Sequence, residues 1–171
     1  MGEQNPEIGE GSWPEMAIWE PLVGRAMLRF GEIEVITIRC LRFLPGKHKL
    51  REVGNWKFTP RVNLILTLLA AKSDPDRDRL AELLREAKRL VRTRNLIAHN
   101  PLEMTVYQLR ETGEFALTLE IRKLLGGEAD VLDREALETF VAEVSALRSA
   151  LGIASYHALF GRQRRRGAGS L

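Results

Sequence analysis

The sequence predicts a mainly α fold: an up-and-down bundle of about four main helices, with a short β-hairpin between the third and fourth. Three observations carry that expectation. Apolar residues recur at three- and four-residue spacing over several long stretches. Proline, glycine and acidic or hydroxyl residues punctuate those stretches where helices would start and stop. One stretch, around residues 104–122, alternates with period two instead. At 171 residues the chain is long enough for one well-buried domain. We divide it into a flexible lead-in over residues 1–14, a helical domain over 15–160 and a disordered basic tail over 161–171.

The first helix runs from about Glu15 to Phe43, with Leu22, Val23, Ala26, Met27, Phe30, Ile33, Thr37 and Leu41 on its apolar stripe and Pro45-Gly46 as its stop. Glu34 falls on this apolar face, whereas Glu32 lies off it and reads as a surface residue. A charged loop follows, holding Lys47, His48, Lys49 and Arg51; His48 has no second ligand residue at metal spacing and reads as solvated, with contact to RNA as the lesser alternative. The second helix spans about Thr59 to Lys72, with Thr59 as its expected cap and Pro60 at its first position. Trp56 and Phe58, just ahead of it, read as packing anchors, with base-stacking platforms as the less common alternative.

The third helix, about residues 74–99, carries Leu80, Leu83, Leu84, Ala87, Leu90 and Val91. Asp74, Asp76 and Asp78 crowd its start, with Ser73 as a candidate cap, and Pro101 forces Asn100 out of the α region at its end. The hairpin pairs Met104–Leu109 with Phe115–Arg122 around Glu111-Thr112-Gly113-Glu114. The last helix begins near Asp133, a capping side chain, and carries Leu137, Phe140, Val141, Val144, Leu147 and Leu151. His157, between Tyr156 and the nearby Phe160, reads as a packing histidine.

Composition excludes several classes. Cys40, the one cysteine, leaves no partner for an internal disulfide and fits a reducing compartment. Arg25, Arg29, Glu32, Glu34, Arg39 and Arg42 interrupt the apolar run at 21–44, so it is no membrane span. The start lacks a basic n-region, and Pro6 stands where a myristoylation signal wants a hydroxyl residue. The expectation is a cytoplasmic protein with no membrane association. Arg162, Arg164, Arg165 and Arg166 account for more than the formal charge of +3, since removing those four turns it to −1. The tail therefore holds the net basicity, either as attraction to nucleic acid phosphates or as a solubilising terminus. No glycine-rich phosphate loop and no Cys/His metal pattern is present, so neither a cofactor nor a metal is expected.

The chemistry concentrates at the end of the third helix, in Arg94-Asn95-Leu96-Ile97-Ala98-His99. Arg94 continues the apolar stripe of Leu90 and Val91, and an inward arginine is costly unless paired. Glu34 poses the mirror problem on the first helix, so the two are expected to lie together, within one subunit or across a dimer. Arg85, Lys88, Arg92, Asn95 and His99 form a second stripe, basic until it reaches the amide and the imidazole. On an ideal helix Arg94 and His99 point about 140° apart, so one helix aims both at one atom only with distortion, or with a second copy across a symmetry axis. The bland alternatives are a histidine that interacts with the helix dipole and an arginine in a structural ion pair.

At Arg94, Asn95 and His99 the chain resembles the HEPN superfamily, whose motif is an arginine, usually followed by a polar residue, and a histidine after four to six intervening residues. The similarity in helix order covers roughly residues 15–155, and the hairpin is an elaboration it does not require. The resemblance implies a HEPN-like homodimer with facing motifs. It also implies a metal-independent endoribonuclease of toxin–antitoxin, phage-defence or RNA-processing type, with RNA as substrate and an antitoxin or regulatory protein as a further partner. Arg94 and His99 would then be catalytic with Asn95, Arg85, Lys88 and Arg92 would bind RNA, and Glu34 would support Arg94 as its ion-pair partner. The alternative within the same fold is a non-catalytic dimerisation or interaction module that regulates a partner protein or nucleic acid. A helical nucleic-acid-binding regulator fits less well, because no clear helix-turn-helix is present and the basic residues do not form a full recognition helix.

Overall fold

A computed structural model of the chain describes residues 16–44, 46, 50–72, 74–123 and 131–167, with side chains described for all of these except residues 50 and 162–167. The elements are α1 (Met16–Phe43), α2 (Leu50–Val53), α3 (Phe58–Ala70), α4 (Pro75–His99), β1 (Leu102–Gln108), β2 (Phe115–Arg122), β3 (Val131–Leu132) and α5 (Arg134–Gly167). The protein is mainly helical, with four main helices and a small antiparallel sheet between α4 and α5, as the hydrophobic spacing predicts. α1 packs along α5, α4 lies against α5 and α3, and α1 also touches α3 and α4.

The core forms where the stripes of these helices meet. Phe30, Ile33 and Leu41 of α1, Val62 and Ile65 of α3, Leu80 and Leu84 of α4, and Leu137, Val144 and Leu151 of α5 are essentially solvent-free. Glu32, expected at the surface, is half-exposed and links two helices. Arg29 of its own helix and Arg148 of α5 both reach its carboxylate, at 3.1 and 2.8 Å. Those two guanidiniums hold the Glu32 carboxyl below its ordinary value, the hydrogen bond from Arg29 contributing most.

The helix ends show why the elements start and stop where they do. The N-cap of α4 is Asp74, whose carboxylate accepts the Arg77 N–H at 3.1 Å, with Pro75 at the first helical position. The sequence points to Ser73 as the cap; the helix starts at Pro75, which gives that role to Asp74, and Ser73 itself lies outside the described residues. Asn100 has extended backbone (φ −128°, ψ 146°) ahead of Pro101, and its own side-chain amide donates to the Leu96 carbonyl at 2.9 Å, closing the last turn. Asp133 accepts the Ala136 N–H at 2.8 Å and so starts α5 as expected.

α3 departs from expectation. It begins at Phe58, one residue before Thr59, with Lys57 as N-cap and no side-chain cap hydrogen bond. The reason is packing: Phe58 sits against Phe30 with ring centroids 5.1 Å apart, and burying that ring draws its residue into the first turn.

The hairpin is longer than its alternation indicates. β1 begins at Leu102, pairing with Ile121 of β2, and Gln108 pairs with Phe115. Gly113, at φ +73°, supplies the left-handed residue of the turn, whose ends are tied by Leu109 N–H to the Glu114 carbonyl at 2.7 Å. A third strand, β3, pairs Leu132 with Ile121, and these two side chains anchor the sheet to the core while its tip stays exposed. α5 continues to Gly167, so the first part of the expected tail is helical backbone; residues 168–171 and the lead-in lie outside the described residues, as does His48. His157 is exposed, edge-on to Tyr156 at 5.9 Å, and is not a packing histidine of the core.

The caps give a direct test. Asp74→Ala and Asp133→Ala are each expected to cost about 0.5–2 kcal/mol in chemical denaturation. Thr59→Ala, which removes no cap, should stay within about 0.5 kcal/mol of wild type.

Candidate functional site

Arg94 lies near the C-terminus of α4, on the face turned to α1, and its Nη2 donates to Glu34 Oε1 at 3.1 Å. The pairing expected of these two misplaced charges is therefore present within one chain. Both side chains are partly shielded, 26% and 29% exposed, so the contact is a charge-assisted hydrogen bond with restricted access to water. The Arg94 guanidinium also lies 5.7 Å from the centroid of the Phe30 ring, and its Nη1 donates to Asn95 Oδ1 at 3.1 Å.

Around this pair opens a cleft of about 410 Å³. Arg94, Asn95 and His99 all border it, so a single chain brings the three motif residues to one cavity even though the ideal helix wheel separates Arg94 from His99. Asn95 and His99 are exposed. The rest of its wall carries no sequence motif: Trp56 and Lys57 join the cleft from the segment that leads into α3, and Arg61 joins it from the first turns of α3. Trp56 is 45% exposed and so is not the buried anchor expected of it, whereas Phe58 is. Arg61 is only 5% exposed; its Nη1 donates to the Gly54 carbonyl at 3.2 Å and its guanidinium lies 6.0 Å from the Phe58 centroid. Burial pulls the Arg61 guanidinium below the ordinary arginine value, and the Glu34 carboxylate partly restores it. Among the described residues, Nε of Arg61 and Nε of Arg94 are buried donors with no acceptor. An arginine four residues into an otherwise apolar helix, in Phe58-Thr59-Pro60-Arg61-Val62, was the available signal.

A second cavity, of about 790 Å³, adjoins the first and shares Thr59, Val91, Asn95 and His99 with it. Lys88, Arg89, Arg92 and Lys123 border it, and among the described residues no carboxylate does. Of the three cations expected along the approach, Lys88 and Arg92 are therefore at the cavity, and Lys88 is steadied by donating to Asn63 Oδ1 at 2.9 Å. Arg85 is exposed on α4 and borders neither cavity. It is one turn too far toward the start of the helix, so the basic stripe reaches the site only over its last turns.

Other groups are remote from this chemistry. Cys40 is enclosed in the core, where burial pushes its thiol up to about 12, which removes it as a nucleophile. Among the described residues no group of three or more His, Cys, Asp or Glu side chains is placed to hold a metal ion, and no helix is long and apolar enough to cross a membrane. Compared with known proteins, the chain matches no family model, no curated protein and no solved structure.

The coupling of Glu34 and Arg94 is measurable. A double-mutant cycle of Glu34→Gln and Arg94→Met should return an interaction of about 0.5–3 kcal/mol in urea unfolding. The same cycle on the exposed pair Arg79 and Glu82 should return no more than about 0.5 kcal/mol.

Proposed function

We propose that the protein is a metal-independent endoribonuclease with a HEPN-like site, of toxin or defence type, acting on RNA in the cleft of Arg94, Asn95 and His99. The observation that carries this reading is the convergence of a guanidinium, an amide and an imidazole on one cavity, flanked by a second cavity whose charged residues, among those described, are cations. A polyanion crossing His99 would meet Lys88, Arg92 and Lys123 on one side and Arg94 on the other.

The reaction follows from those groups. The ribose 2′-oxygen attacks the adjacent phosphorus and the bond from phosphorus to the 5′-oxygen breaks, leaving a 2′,3′-cyclic phosphate and a 5′-hydroxyl. The proton of the 2′-hydroxyl passes to solvent water, and His99 delivers one to the departing 5′-oxygen. Arg94, its fork already oriented by Glu34, stabilises the charge that builds on the phosphoryl oxygens. Asn95 orients the phosphate or the imidazole. The nucleophile belongs to the substrate, so the residues need supply only orientation, charge and a proton.

We further propose a homodimer. Leu28, Val35 and Ile38 recur on the exposed side of α1 near Glu34, and supply apolar area that a second copy would bury. An antitoxin or regulatory partner belongs to the same reading.

One observation favours the second reading, a non-catalytic interaction module: Arg94 is already engaged by Glu34, as a purely structural arginine would be. Cleavage of total RNA in excess EDTA, with product ends mapped, separates the two. Wild type should leave cyclic phosphate ends, and His99→Ala, folded and of the same mass in light scattering, should be slower by at least about 100-fold. Equal rates for the two proteins would remove His99 from the chemistry. Absence of cleavage from the wild-type dimer over a broad RNA pool would favour the interaction module.

A further inference from the structure

The start of α3 is charged against its own dipole. Lys57 is the N-cap, Arg61 follows within the first turns, no acidic residue is present in the first turn and no side chain caps the free amides. Cations at the positive end of a helix are unfavourable, and α4 and α5 show the opposite choice, with Asp74 and Asp133 in the capping position. Arg61 adds a second, independent anomaly. It is a guanidinium only 5% exposed on the wall of the cleft, with one donor on the Gly54 carbonyl and Nε without any acceptor. Among the described residues Glu34 is the one carboxylate bordering this cleft, against Lys57, Arg61 and Arg94. That surplus of positive charge is unbalanced among the described residues of the cleft wall. Beside it stands Trp56, a large flat ring left 45% exposed where the cleft opens.

An indole next to two cations and a helix N-terminus suits a nucleotide, whose base stacks and whose phosphate is held by charge and amides. We propose that Trp56, Lys57 and Arg61 form a second nucleotide subsite, in which the base flanking the cleaved linkage stacks on Trp56 and its phosphate sits against Lys57 and Arg61. This rests on the RNA reading of the Arg94–His99 site and adds to it the course of the strand. From the cationic cavity of Lys88 and Arg92, the RNA passes His99 and Arg94 and ends on the indole. The cleft volume of about 410 Å³ falls in the range of ordinary small-ligand pockets, about 300–1,000 Å³, enough for one nucleotide unit and too small for a duplex. Stacking tolerates any base, so the subsite selects single-stranded over paired RNA and leaves base identity unread.

The test uses binding, so that it does not depend on chemistry. A 2′-O-methyl uridine trinucleotide, which lacks the attacking hydroxyl, is titrated by calorimetry into the full chain, with inorganic phosphate as a second probe. Trp56→Ala should weaken the trinucleotide by about 5- to 100-fold and leave phosphate binding unchanged, and Trp56→Phe should recover most of the loss. Lys57→Glu should weaken both probes. Arg61→Lys keeps the buried charge where Arg61→Ala risks the fold, and it should weaken both probes while thermal unfolding stays cooperative. If Trp56→Ala binds the trinucleotide like wild type while Arg94→Ala does not, the subsite is wrong and the RNA reading stands. If Trp56→Ala weakens phosphate and trinucleotide alike, the indole acts on the fold and the subsite is wrong. If wild type binds no oligonucleotide, the RNA reading fails and takes the subsite with it.

Discussion

A charged guanidinium reaches into this bundle because a carboxylate on the neighbouring helix receives it, and the rest of the site is arranged around that contact. Glu34 and Arg94 each occupy a position that their helix otherwise gives to apolar residues. Neither is tolerable there alone, since removing one partner leaves a partly buried charge uncompensated. Together they tie α1 to the end of α4. The Phe30 ring lies close to the Arg94 guanidinium and packs on Phe58, so the same corner of α1 also decides where α3 begins. One polar contact and one aromatic contact thus place the three helices that wall the cleft.

The end of α4 is as important as its pairing. Pro101 and the Asn100 side chain stop the helix directly after His99, which leaves the imidazole on the last turn beside an opening instead of within a continuing helix. Val91 and Leu96 keep the same turns against the protein, while Asn95 and His99 remain exposed at the junction of the two cavities. The charges divide accordingly. The cavity of Lys88 and Arg92 is bordered by cations among the described residues, whereas the cleft of Arg94 contains a carboxylate already engaged with the arginine.

The helices were legible in the sequence because their stripes are regular and their stops are chemical: Pro45-Gly46 after α1, Asn100-Pro101 after α4, Asp133 before α5. The Glu34–Arg94 contact was legible for the same reason, as two charges on apolar faces need each other. What escaped was set by tertiary packing. Thr59 and Pro60 look like a helix start, but Phe58 is drawn into the first turn by Phe30, a residue of another helix that no local propensity rule takes into account. Trp56 reads as buried because aromatic residues usually are, yet it stands exposed at the mouth of the cleft. Lys57 and Arg61 carry no motif, and only the fold brings them beside Arg94. Arg85 errs in the other direction, since a stripe on a wheel says nothing about where along the helix the cavity begins.

The most direct test of the Arg94–His99 site is a nuclear magnetic resonance titration that watches the Arg94 side chain itself. With the Arg94 Nε–H and the His99 ring assigned, an uncleavable 2′-O-methyl oligonucleotide is added to the wild-type protein. Both signals are expected to shift together, in a saturable way, along with the amides of Val91 to Asn95. Saturable binding that moves signals elsewhere and leaves Arg94 and His99 unperturbed would contradict an RNA site at the end of α4.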